Sequence, residues 1–508
     1  MPEEKRSPYE LLAEKSKAIH IYHSILTLLH WDQETHMPPG GIGIRSEQIA
    51  QLSHLAHEEK TSKSYKKLLE ELVNLKTGNL KAKGLSKPQK IIVREWRKDF
   101  NRSNKLPSSF VKAFSQLTSE ASQIWAMAKK EKNFKLFAPS LEKIVAMNRE
   151  KAKILGFKDH PYDALLEGHE PCMTSARVSK IFDGLQVELK KLLKKIAAAK
   201  KPDVRFLHRL VSDEKQSEIG HWIANAMPVD RDYTRLDLSS HPFSMSLHPR
   251  DSRITTRYLP KAFISNIFSV LHEEGHSMYE MGLPVEHWGT GLCEAASLSV
   301  HESQSRWWET LIGRSLPFWK HFYPQLQKIL PGHLKGVSLD KFYRAIHLVT
   351  PSFIRVEADE VTYCLHVILR FEIEKQLIAG SLSVADLPAA WNAKFKDLFG
   401  LTPPDDAQGC LQDIHWSLGE FGYFPTYALG NILAAHLFSA FAKEHPDWEG
   451  RVEKGDLAFV REWLKLHIHQ WGRTYDFDEL AKRATGKPIS EDAYCHYLKK
   501  KYSHIYNL

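Results

Sequence analysis

Apolar residues spaced i, i+3, i+4 dominate this chain, and that spacing most restricts what it can fold into. The pattern runs through 9–31, 64–75, 107–130, 176–200, 260–281 and 297–311. Each segment predicts a helix with one face turned to a core. Strand-like alternation is confined to 230–259, which reads as one or two short strands with turns, directly before the helix at 260. Breakers cluster at 37–43, 282–284 and 401–408, but none is a long Gly/Ser linker, and no internal repeat or low-complexity tract is visible. A length of 508 residues sets a prior of two or three domains, though a large helical protein can form one continuous unit.

Composition then excludes whole classes. Hydrophobic residues are 43% and charged residues 26%, the balance of a globular chain with a large core, which rules out disorder as the main state. The opening stretch MPEEKRSPYELLAEK has no apolar core of a leader peptide. No run approaches the roughly eighteen apolar residues of a membrane span. The five cysteines (172, 293, 364, 410, 495) are scattered and odd in number, with no CxxC, which argues against a disulfide framework or a cysteine zinc site. A reducing cytoplasm is the expected setting. The net charge of +9 leaves anionic partners open. The lysines between Lys60 and Lys105 alternate with Glu and Leu, so a solvated helix face is expected there in preference to a nucleic-acid surface.

The residues richest in chemistry are His272-Glu273-Glu274-Gly275-His276, an HExxH motif. On a helix, residues four apart lie on one face, so both imidazoles reach one cation. Glu273 lies about 100° around, close enough to act on water at that cation. Ile264, Ile267, Phe268 and Leu271 supply the apolar stripe that makes this segment helical. Even counting every acidic residue as Glu, chance gives at most about 0.17 such matches in a chain of this composition, so two ordinary histidines on an amphipathic helix remain a competing reading.

The third ligand must come from elsewhere. A metzincin needs Gly and His where Tyr279 and Gly282 stand. Glu280 lies eight residues from His272, about 12 Å along the helix, too far to share its ion. Candidates are Glu286, His287, Glu294, His301 and Glu302; Pro284 and Gly289–Gly291 mark a turn, after which a second helix packing back on the first would carry the last three. Glu294 and Glu302 are expected on one face of it, two turns apart.

Three further clusters carry more polar groups than a plain core. Arg253 lies in Asp251-Ser252-Arg253-Ile254-Thr255, and Arg355 in 354–360 with Tyr363 beyond. A guanidinium is the fixed fork that a peptide's terminal carboxylate requires, although an Arg bridging to a nearby acid is the competing reading for both. His415 and Tyr423 sit in GCLQDIHW and GYFPTY, where a His and a Tyr can hydrogen-bond the oxyanion of a tetrahedral intermediate; packed aromatic core is the alternative.

These segments together resemble the carboxypeptidase Taq family of zinc metallocarboxypeptidases, also called thermostable carboxypeptidase 1. The likeness comprises LLHWDQETHMPPGG with Arg45, His241-Pro242-Phe243, DSRIT, HEEGH, HESQ (301–304), IRVEADEVTY, GCLQDIHW and GYFPTYALGN, in the family's order over nearly the whole chain. The segment at Cys293 and His347-Leu348-Val349 depart from the family's usual wording. The resemblance implies that Glu302 joins His272 and His276 as the third metal ligand. It implies one mainly α unit over 1–508: a zincin-like, two-lobed helical fold around a deep groove, like neurolysin and angiotensin-converting enzyme, with a small β-sheet. The groove motifs concentrate in 230–430, and His241 is among the residues that would line it.

By the same resemblance the expected activity is release of single C-terminal residues from peptides with a free C-terminus. One zinc per chain, replaceable by cobalt, would serve with Glu273 as general base. His415 and Tyr423 would steady the oxyanion, while Arg253 or Arg355 would clamp the terminal carboxylate. A homodimer is implied, with no nucleic-acid or membrane partner. The rivals are an endo-acting oligopeptidase or dipeptidyl carboxypeptidase on the same scaffold, and a non-enzymatic basic binding scaffold.

Overall fold

The structure is a computed structural model that describes residues 6–508; the first five residues of the stretch searched for a leader lie outside the described residues. The chain is mainly helical, with one small sheet. Helix α1 (Pro8–Thr35) starts at Ser7, whose hydroxyl takes the Glu10 amide while the Glu10 carboxylate returns to Ser7, a capping box. Ser86 and Gln89 repeat the device at α2 (Lys87–Lys105). Ile92, Val93, Trp96 and Phe100 form the buried face of α2, and Lys87, Lys90, Lys98 and Lys105 face solvent, as expected of that lysine-rich stretch. With Leu12, Ile19, Tyr65, Leu69, Leu72 and Leu292, the apolar face of α2 builds a small core separate from the main one.

The stretch expected to hold one or two strands forms three. They are β1 (Thr234–Leu238), β2 (Ser244–His248) and β3 (Asp251–Thr256), in the order β1-β3-β2. The central β3 runs parallel to β1 and antiparallel to β2, and its Ile254, Thr255 and Thr256 are buried. Thr256 donates to Asn266 Oδ1 at 2.8 Å, and Asn266 Nδ2 donates to the Gln216 carbonyl at 2.7 Å. Asn266 thereby fixes the sheet against α3 (Phe263–Gly282), which carries HEEGH.

Helix α3 is buried on nearly all sides, so it lies within the core, not on the surface. Small residues allow its neighbours to approach. A Cβ on Gly275 would sit 2.6 Å from the Gln304 carbonyl oxygen and the Ser305 Cα of α4 (Leu298–Arg306). On the other side of α4, a Cβ on Gly430 would meet Glu302 Cβ and Cγ at 2.7 Å. Gly430 belongs to α6 (Pro425–Glu444), while α5 (Tyr363–Ala379) packs beside α6. Helix α4 is thus held between two glycines. It runs on into a π-helical turn, Trp307–Ile312, that buries Trp307 and Trp308 completely. Glu294 is not on this helix: it precedes Ser297, the cap of α4, in extended backbone, because α4 does not begin directly after the turn at Gly289–Gly291.

No helix among the described residues is long and apolar enough to cross a membrane. All five cysteines are free, four of them buried.

Candidate metal centre and active site

Helix α3 places His272 and His276 one turn apart, and α4 brings Glu302 to meet them. Glu302 Oε2 stands 3.8 Å from His272 Nε2 and 3.6 Å from His276 Nε2. The ligand-type atoms of the three residues lie within 4.8 Å of one another. Such a set of two imidazoles and one carboxylate suits zinc and related divalent ions.

Each ligand is oriented by a partner behind it. His272 Nδ1 bonds Glu309 Oε2 at 2.9 Å, leaving its Nε2 free to face the site. His276 Nδ1 meets His301 Nδ1 at 2.5 Å, and His301 Nε2 meets Glu280 Oε1 at 2.8 Å. The tautomers follow: His276 donates to His301, His301 donates to the Glu280 carboxylate, and His276 Nε2 keeps its lone pair. Arg306 Nε donates to Glu302 Oε1 at 2.8 Å, while Oε2, which the Ser305 hydroxyl reaches at 3.2 Å, faces the two imidazoles. Arg306 Nη1 also holds Glu309 Oε2 at 3.0 Å, so the backing groups of Glu302 and His272 are joined. The donor set and its backing therefore fit a resident divalent ion.

Glu273, next to His272 in the motif, is 6% exposed and makes no hydrogen bond among the described residues. Burial pushes its carboxyl up to about 7, the range a proton acceptor needs near neutral pH. Among the other ligand candidates, Glu294 binds His20 at 2.7 Å and Arg473 at 2.7 Å, a tie between α1 and the C-terminal third of the chain. Glu280 and His301 form the hydrogen-bonded chain behind His276 Nδ1.

Arg355, His415 and Tyr423 join the same neighbourhood. Arg306 lies over the Tyr363 ring at 4.4 Å, and the Tyr363 hydroxyl accepts from Arg355 Nη1 at 3.0 Å. Arg355 Nε in turn donates to Asp413 at 3.0 Å, and Arg370 Nε to the other oxygen of Asp413 at 2.6 Å. Burial works against the Asp413 charge, but the two guanidiniums hold the carboxyl well below the usual range. His415 Nε2 approaches the Tyr427 hydroxyl at 3.3 Å, and its ring lies 5.3 Å from that of Tyr423. Burial lowers His415 to about 4, so it is neutral at pH 7. Burial raises Tyr423, and the Glu302 carboxylate adds to the rise, so the phenol stays protonated as a donor.

The sheet residues are placed apart from this network. Arg253 pairs with Asp251 of its own strand at 3.0 Å and stacks over Trp31 at 4.4 Å, beside Arg235 over the same ring at 4.8 Å. His241 is exposed in the turn between β1 and β2. Sequence reasoning missed Arg306 and Glu309, although their spacing from Glu302 on one helical face was a readable signal. It also missed Asp413, Arg370 and Glu374, whose partners lie far away in sequence.

A sequence profile described as Carboxypeptidase Taq (M32) metallopeptidase matches residues 11–502. The chain belongs to this family. Thermostable carboxypeptidase 1 of Thermus thermophilus is 39% identical, with 98% of this chain and 99% of that one covered. Carboxypeptidase 1 of Bacillus subtilis is 38% identical over 97% of each. An M32 carboxypeptidase structure from Deinococcus radiodurans superposes with a TM-score of 0.95 at 34% identity, covering 99% of this chain and 100% of that one. Membership in the M32 family makes the chain a metallocarboxypeptidase, a hydrolase acting on peptides, and implies a divalent metal. The likeness read from the motifs is therefore correct at the level of family and mainly helical fold.

Proposed function

We propose that this chain releases single residues from the free C-termini of peptides, with one zinc ion per chain held by His272, His276 and Glu302. The observation that carries the proposal is the arrangement of these three side chains within 4.8 Å, each held from behind by a separate polar partner. Cobalt is the expected substitute, because the same donor set accepts it. When bound, such an ion supplies Lewis acidity, polarising the scissile carbonyl and acidifying water.

The chain's own residues do the rest. Glu273, buried and without a hydrogen bond among the described residues, takes the proton of the attacking water and returns it to the leaving amine. Tyr423 and neutral His415 are the donors proposed for the oxyanion. Arg355 is the preferred clamp for the terminal carboxylate. It and Arg370 share the single carboxylate of Asp413, so the cluster keeps an excess positive charge in a buried wall. Arg253, already paired with Asp251, and His241, in its turn, are proposed as outer contacts of the substrate. We further propose a zincin-like, two-lobed arrangement around a groove, one functional unit over 1–508, a homodimer and a cytoplasmic setting.

A peptide and its C-terminally amidated twin test the exopeptidase reading. The free acid should lose one residue at a time by mass, and the amide should lose most of its rate. Equal rates on both would make the activity endo-acting, and release of residue pairs would make it a dipeptidyl carboxypeptidase.

A further inference from the structure

Glu374 lies on α5 and is completely buried, yet no part of the chemistry above uses it. Its carboxylate receives three hydrogen bonds. Trp416 Nε1 donates to Oε1 at 2.8 Å, while the Tyr162 hydroxyl and the Gly422 amide donate to Oε2 at 2.7 and 3.1 Å. Every partner is a donor, so the site is built for an acceptor-only group. Burial pushes this carboxyl up to about 7, and the three donors oppose that rise.

The placement of two of those donors matters more than their number. Trp416 directly follows His415, and Gly422 directly precedes Tyr423. Gly422 has φ +87°, and a Cβ there would sit 2.7 Å from the Leu166 amide nitrogen, so this corner is pressed against the short helix Pro161–Leu166 that carries Tyr162. One turn earlier on the same face of α5, Arg370 grips Asp413, two residues before His415. Helix α5 therefore holds the loop on both sides of His415, and Glu374 alone reaches the far end beside Tyr423.

We infer that Glu374 is a positioning residue: by bridging Trp416 and Gly422 it sets where His415 and Tyr423 stand relative to the metal ligands. The consequence for turnover rests on the reading of those two rings as oxyanion donors. A Gln at 374 retains the shape but cannot accept on both sides. With its oxygen turned to Tyr162 and Gly422, its amide opposes the Trp416 N–H, and the loop must shift.

The test is Glu374→Gln in the metal-loaded full chain. The expected result is full metal occupancy by elemental analysis, KM within about twofold, and kcat down about 10- to 100-fold, as a displacement of about 1 Å brings. Trp416→Phe, which deletes one donor and keeps the carboxylate, should give a smaller fall in the same parameter and serves if the Gln variant folds poorly. In a His415→Ala/Tyr423→Phe background, Glu374→Gln should add little further loss. Ring-labelled tyrosine NMR gives a readout independent of activity: the Tyr423 resonances should move in Glu374→Gln. Unmoved resonances, loss of metal, or full additivity with the double variant would overturn the inference. Moved resonances with wild-type turnover in His415→Ala/Tyr423→Phe would instead leave Glu374 as the bridge and refute the oxyanion reading.

Discussion

Two glutamates beside His272, Glu273 and Glu309, illustrate how neighbours assign a role to a side chain. Glu273 is buried without a hydrogen bond and is pushed up to about 7. Glu309 is gripped by Arg306 and His272; against burial, the Arg306 charge and the hydrogen bond from His272 hold it well below the usual range. One is therefore poised to exchange a proton and the other is fixed as an anion. Glu273→Gln should keep its zinc while kcat falls by about 10²- to 10⁴-fold, the usual reach of general-base catalysis; near-normal turnover with metal present would refute the assignment. Glu309→Ala should show the opposite pattern, with metal affinity down about 10- to 100-fold and residual turnover restored by excess metal. Titration with a chromogenic chelator separates the two. The pH dependence has a defined sign as well. Only the ionised Glu273 accepts a proton, so kcat/KM must fall as pH drops through its pKa, and Glu273→Gln should lose that acid limb.

At the scale of elements, α4 is the part with least freedom. Gly275 and Gly430 admit it from opposite sides, and Glu302 projects from the helix between them. Gly430→Ala would drive a methyl into the Glu302 side chain, an overpacking worth about 1–3 kcal/mol. The expected outcome is weaker zinc binding with HEEGH intact, measured as metal content against free metal; unchanged affinity would mean that α4 can shift without cost. The sequence made much of this legible. Helical spacing located α1, α3 and α4 within a few residues, and HEEGH fixed the pair of imidazoles. The reading failed where the chain left the helix: extending α4 back to the turn at Gly289–Gly291 placed Glu294 on it, whereas Ser297 caps that helix and Glu294 lies before it in extended backbone. The hydrogen-bond partners Asp413, Arg370 and Glu374 were not readable, because each acts across more than forty residues through contacts that only folding creates.

At the scale of the whole molecule, the described residues form two apolar cores of very unequal size. The larger contains α3 to α6 and all proposed chemistry, which is why the ordered motifs of 230–430 revealed the family while most of the N-terminal third did not. The smaller joins α1, α2 and the helix Lys63–Leu72 to Leu292. It is tied to the rest by polar links along its edge, among them Ser16 to the Gly289 carbonyl at 2.6 Å, His20 to Glu294, His36 to Asp237, Arg94 to the Arg473 and Thr474 carbonyls, and Arg473 to Asp99 at 2.9 Å. A layer with its own modest core opens as a cooperative subunit at lower free energy than the body that bears it. Deuterium should therefore enter the amides of α1 and α2 as one group, well before those of α3 and α4, and saturating zinc should slow the second group while leaving the first nearly unchanged. The N-terminal layer would then breathe independently of the metal, so proteases and solvent could reach it without the ion ever leaving its ligands.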